Sequence, residues 1–213
     1  MDRQGTAAFT WIQVLLVLNI GMFLLEMVYG APLIDALALW PLQSSHLAVA
    51  ASQEHPFRLW QLLTYAFLHG SPMHLLLNMY GLWLFGSRME RVWGSSSFAQ
   101  YYFICVLGAG LVQLVIATLG AARGAVYPTV GASGGIFGLL LAFGLTFPNE
   151  RLMLLFPPVV LRARWFVLIY GLIELLSGIT GTAAGVAHFA HLGGMLFGYL
   201  LLRYWRHHPP RYG

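Results

Sequence analysis

The chain has 213 residues, 59% of them hydrophobic and only 8% charged, whereas an ordinary soluble domain carries about 25% charged residues. Its formal net charge of +4 comes from dispersed arginines with no lysine, which excludes nucleic-acid binding and fits the charge bias of membrane loops. One cysteine, Cys105, excludes an internal disulfide and reads as packing.

Stretches free of Asp, Glu, Lys and Arg run over residues 4–25, 59–87, 92–122, 124–149 and 175–202, each near or above the ~20 residues that cross a bilayer. Backbone groups in hydrocarbon must be satisfied internally, and these runs lack the period-2 alternation of barrel strands. The predicted fold class is therefore all-α, a polytopic membrane helical bundle. Charge, Gly/Pro and polar clusters place six transmembrane helices at residues 9–29, 69–86, 98–119, 131–147, 164–180 and 186–205, in one membrane domain spanning residues 1–213.

The first span follows Arg3, and Ala36-Leu37-Ala38 resembles a signal cleavage site. The apolar run is longer than a signal core and the tripeptide lies well beyond it, so a retained span is expected. Residues 30–68, rich in Trp, His and Pro, read as an interfacial first loop. No internal repeat is visible, which disfavours a transporter with matched halves.

With six spans, Arg3, Arg88, Arg91, Arg151, Arg162, Arg164, Arg203, Arg206 and Arg211 fall on one side and only Arg58 and Arg123 on the other. The positive-inside rule then makes both termini cytoplasmic. The expected setting is a multi-pass protein of the inner (plasma) membrane, its polar residues opening to the outer side.

Span two begins His69-Gly-Ser-Pro-Met-His74-Leu-Leu-Leu-Asn78, which stacks His74 and Asn78 on one helix face at i and i+4. They could donate to an oxyanion or form an interhelical polar clasp. Span four would rise only about 25 Å, short of a hydrocarbon core of roughly 30 Å. Its start is therefore sunken, and the Gly/Ala-rich residues 120–130 before it imply a water-filled cavity at depth.

Gly131-Ala-Ser133-Gly134-Gly135 puts Ser133 in the first turn of span four, where free N–H groups and the helix dipole favour developing negative charge. Taken alone, the run reads more readily as a close-packing surface, with Gly134 and Gly138 at GxxxG spacing. Span six contains His188 and His191. His191 shares a stripe with Ala187, Gly194 and Gly198, whereas His188 lines up with Leu192, Met195 and Tyr199. Only the first stripe permits close helix approach, which brings His191 towards Ser133 as a general base. His188 is expected near the outer interface, solvated or bonded to backbone. The outer-side set contains no Asp or Glu, so the expected chemistry is a Ser-His dyad with no carboxylate orienter. Glu174, about ten residues into span five, is left as a buried hydrogen-bonding or gating residue.

Over residues 56–200 the sequence resembles the rhomboid family of intramembrane serine proteases, of the bacterial six-span type. The likeness rests on Trp60, the His69-x4-His74-x3-Asn78 pattern, Gly86-Ser-Arg-Met-Glu90-Arg-Val-Trp-Gly94, Gly131-Ala-Ser133-Gly134 and Ala190-His191-Leu-Gly-Gly194-x3-Gly198. The resemblance implies that Ser133 is the nucleophile and His191 the base, with an oxyanion hole of His74, Asn78 and the Ser133 N–H. It also implies that Glu90 and nearby arginines act structurally in a cytoplasmic turn, that span five gates lateral entry of transmembrane protein substrates, and that no cofactor or metal is needed. Two departures are Trp60-Gln61, where the family often has Trp-Arg, and Phe137, where tyrosine is frequent; Phe137 can still support the histidine ring by stacking. Rival readings are a non-proteolytic rhomboid-like protein that binds membrane clients, and an enzyme whose metal is held by His69, His74, His188 and His191.

Overall fold

The computed structural model describes residues 9–42, 55–153, 158–182 and 187–210. Arg3, Arg211, residues 43–54 of the first loop and Gly185-Val186 at the start of the sixth span lie outside the described residues.

Helix α1 (Trp11–Tyr29) opens on a capping box in which the Thr10 hydroxyl accepts from the Gln13 N–H and the Gln13 side chain accepts from the Thr10 N–H. Two more of its free N–H groups, on Trp11 and Ile12, donate to the two carboxylate oxygens of Glu90 at 2.7 and 3.1 Å. The first loop is partly helical, with α2 (Ala31–Leu37) and α3 (Gln61–Thr64), the latter running into a 3₁₀ turn at Tyr65–Phe67.

The second long helix differs from its predicted bounds. It starts at Pro72, capped by Ser71, as α4 (Pro72–Gly81), passes through a π-helical turn at Leu82–Gly86, and continues as α5 (Ser87–Trp93) to Gly94, whose φ of 77° ends it. Glu90 and its neighbouring arginines therefore sit on a helix rather than in a turn. At the π turn Gly86 lies against the end of the Ile12 side chain, which would have to shift to admit a Cβ.

Helix α6 (Ser95–Ala121) is the longest of the described helices at 27 residues. Helix α7 (Ser133–Thr146) has 14 residues, about 21 Å of rise, even shorter than expected. A two-stranded antiparallel sheet follows, β1 (Arg151–Met153) on β2 (Val160–Arg162), with Leu152 opposite Leu161. The expected helical bundle stands, with this short hairpin as an addition to an all-α reading, because the segment after span four pairs its own backbone. Helices α8 (Ala163–Thr180) and α9 (His188–Trp205) complete the described elements.

Among the described residues, α1, α6 and α8 are long and apolar enough to cross a membrane. The protein is a mostly helical, multi-pass membrane protein. Many apolar side chains of α1 and α8, such as Val17, Leu24, Leu172 and Leu176, are exposed, as lipid-facing surfaces are. The core lies between α6, α7 and α9, where Tyr101, Tyr102, Cys105, Val106 and Leu139 are fully buried.

Candidate active site

Close approach of α7 and α9 is what sets the site. A Cβ on Gly194 would collide with the Gly134 carbonyl oxygen, and one on Gly138 would meet Cys105 and lie 3.1 Å from the Gly194 carbonyl. Gly198 does not face α7 as its stripe predicted. It packs against Tyr101 and Cys105 of α6, because α9 is wedged between both helices and the stripe divides along its length.

This contact places Ser133 Oγ 2.7 Å from His191 Nε2. Ser133 is the first residue of α7, where N–H groups have no partner within the helix. The preceding Gly131 has φ of 125°, a conformation closed to ordinary side chains. A Cβ there would lie 2.8 Å from His74 Nε2 and 3.7 Å from Ser133 Oγ, so His74 and the serine flank the same point. The Phe137 ring, one turn along α7, stacks on His191 at 4.2 Å and 6°.

The loop before α7 is held by the first loop. Leu39 and Thr129 exchange backbone hydrogen bonds at 3.0 and 2.9 Å, and the Gly131 N–H donates to the Tyr65 carbonyl at 2.9 Å. The departing residue Gln61 is fully buried there. Its side-chain oxygen accepts from the N–H of Arg58 at 3.2 Å and of Trp40 at 3.4 Å, while Trp60 Nε1 donates to the Ala36 carbonyl at 2.9 Å. An uncharged amide thus ties this segment without a guanidinium.

A cavity of about 1580 Å³ opens over the pair. His74, Asn78, Ser133 and His191 line it, together with Tyr80 of α4 and Tyr170 of α8. The Asn78 amide spends one hydrogen on the His74 carbonyl at 2.8 Å, which leaves its second hydrogen free to donate. The cavity thus lies between the second and fifth predicted spans.

The expectation for His188 holds in part, and the absence of a carboxylate beside the base is overturned. His188 is buried rather than solvated: its Nε2 meets the Thr182 carbonyl at 3.1 Å, as a backbone bond would, but its Nδ1 lies 2.7 Å from Glu174 Oε2. That same oxygen is 2.8 Å from His191 Nδ1, so a carboxylate does reach the base. About ten residues separate Glu174 from the start of span five, but its depth does not count from that end. That helix runs towards the side where α9 begins, so depth counts from Thr180, and six residues before it is only about 9 Å.

Glu174, His188 and His191 bring three ligand atoms within 4.8 Å of one another. The four-histidine set does not gather in this way: His69 packs edge-on against His74 at 5.1 Å, while His188 and His191 form a separate pair with ring centroids 6.5 Å apart.

Residues 56–207 match the Rhomboid domain family. The chain belongs to the rhomboid family. This rhomboid is 34% identical over 142 residues to "Rhomboid protein 1, mitochondrial" of Saccharomyces cerevisiae, covering 63% of the chain and 38% of that protein. It is 31% identical over 155 residues to the human "Presenilin-associated rhomboid-like protein, mitochondrial", covering 70% and 40%, and 32% identical over 145 residues to "RHOMBOID-like protein 4" of Arabidopsis thaliana, covering 67% and 33%. These similar rhomboids are eukaryotic, two of them mitochondrial by name, rather than of the bacterial type expected. The match spans 40% or less of the length of each.

Proposed function

We propose that this rhomboid is an intramembrane serine endopeptidase that cleaves transmembrane segments of membrane proteins through an acyl-enzyme. The 2.7 Å approach of Ser133 Oγ to His191 Nε2, inside a cavity at the start of a short helix, carries this reading. The hydroxyl donates its proton to Nε2 as Oγ attacks the scissile carbonyl. The oxyanion then faces the Ser133 N–H, His74 and the free Asn78 amide hydrogen, a donor set worth roughly 3 kcal/mol per member. The imidazolium returns the proton to the leaving amine. Water, activated by the same nitrogen, hydrolyses the ester and regenerates Ser133.

The substrate helix enters sideways between α4 and α8, whose side chains wall the cavity, and unwinds at the site. Six spans are read from the apolar runs, and with six spans the arginine distribution supports cytoplasmic termini and a cavity opening outward, in a plasma-membrane setting. A fluorophosphonate probe on detergent-solubilised protein tests the pair: wild type is labelled, and Ser133→Ala and His191→Ala are not. Equal labelling of all three contradicts it.

One observation favours a second reading. Glu174, His188 and His191 form the His₂-carboxylate set that divalent metals take. Stoichiometric metal in purified protein, with activity abolished by a chelator, would support that reading over the protease. A client-binding protein without proteolysis predicts binding of transmembrane segments with no cleavage and no labelling of Ser133.

A further inference from the structure

The Glu174 carboxylate stands between two histidines of α9, and their other partners fix where the protons lie. The Thr182 carbonyl can only accept, so His188 Nε2 carries a hydrogen, and the 2.7 Å link from its Nδ1 to Glu174 holds one more between ring and carboxyl. His191 Nε2 faces the Ser133 hydroxyl at 2.7 Å and can take its proton only as the bare nitrogen of the ring. The ring hydrogen of His191 is then on Nδ1, 2.8 Å from the same carboxylate oxygen.

We propose that Glu174 is a positioning residue for the base, holding His191 in the tautomer whose Nε2 is free, and that His188 is its counter-group, balancing the carboxylate within the bundle. The inference rests on Ser133 and His191 acting as nucleophile and base. A carboxylate buried among apolar helices is costly unless paired, and His188 supplies the pairing without occupying the face that meets Ser133. Because Oε2 is shared, the two histidines compete for its charge. When the serine proton reaches His191, the new imidazolium already faces a carboxylate, and Phe137 keeps the ring plane fixed from the other side.

This arrangement joins three helices: nucleophile on α7, orienter on α8, base and counter-group on α9. Among the described residues, the titratable groups around His191 are Glu174 and Tyr170 from α8, His188 on its own helix, Ser133 from α7 and His74 from α4 across the cavity. At this level α6 meets α9 through Ala109 and Val112, which pack at Gly193. Removing Glu174 or His188 therefore acts on His191 in opposite senses. Without the carboxylate the imidazolium loses its stabiliser, and without His188 it receives the whole of it.

The test uses the full chain in proteoliposomes with a transmembrane substrate, comparing wild type, Glu174→Gln, His188→Gln and Ser133→Ala by kcat and KM across pH. Glu174→Gln is expected to lose about 100-fold or more in kcat with little change in KM, as loss of a triad carboxylate does, and its acid limb moves to lower pH. His188→Gln moves the acid limb to higher pH. A variant that folds only in part scales the rate without moving the limb, so the limb separates positioning from structure. Where turnover of Glu174→Gln is too slow, the pH dependence of Ser133 labelling by a fluorophosphonate gives the same limb. Wild-type limbs in both glutamine variants, or wild-type kcat in Glu174→Gln, overturn the inference while an inactive Ser133→Ala leaves the protease reading standing. Cleavage by Ser133→Ala at the wild-type rate defeats the protease reading itself.

Discussion

The Phe137 ring lies flat on His191 where a tyrosine is frequent in the family, so its contribution is a surface rather than a hydroxyl. Phe137→Ala leaves the imidazole free to tilt, and a misplacement near 1 Å costs on the order of 100-fold. The expected result is a fall in kcat with KM little changed, read by steady-state cleavage in proteoliposomes. Gly194 is constrained differently, because any Cβ there runs into the Gly134 carbonyl oxygen. Gly194→Ala should force α7 and α9 apart, destabilising the protein by about 1–3 kcal/mol and lengthening the Ser133–His191 approach. Thermal unfolding in detergent checks the first effect and fluorophosphonate labelling the second. His191 was legible from sequence because i, i+3 and i+4 spacing separates its small-residue stripe from that of His188. Glu174 was not, because such spacing orders residues within one helix and says nothing about how α8 is rotated or staggered against α9.

At the scale of elements, the start of α1 is held by a residue 79 positions away, where Glu90 takes the Trp11 N–H, with Ser95 Oγ donating to the same carboxylate oxygen at 2.7 Å. A carboxylate on the first turn of a helix satisfies free donors and opposes the dipole. Glu90→Gln should therefore cost about 1–3 kcal/mol and lower the unfolding temperature while leaving kcat intact below it. The resemblance assigned Glu90 a structural role, but its placement in a turn missed the π-helical step at Leu82–Gly86 that carries the helix on to Trp93. Charge clusters mark where a span leaves the hydrocarbon, and a helix can continue past that level. The β1–β2 hairpin was missed because two strands of three residues each carry too little alternation to register.

For the whole molecule, the apolar runs sufficed to establish a helical membrane protein, since hydrocarbon leaves the backbone few alternatives. The orientation rests on the arginines, and reporter fusions at the two ends should both read cytoplasmic; opposite readings would remove the six-span topology and the outward-facing cavity with it. The shortness of α7 was legible in the apolar run, and the support of the loop before it, backbone exchange between Leu39 and Thr129, was not, because isolated bridges leave no pattern in sequence. Proteolysis by this chain requires that the hydroxyl 2.7 Å from His191 Nε2 be the group that cuts. The direct measurement is cleavage of a single-span substrate by the purified chain in proteoliposomes, wild type against Ser133→Ala. Cleavage within the transmembrane segment by wild type and none by Ser133→Ala is the predicted result; equal cleavage by both, or none by either in a folded preparation, contradicts it.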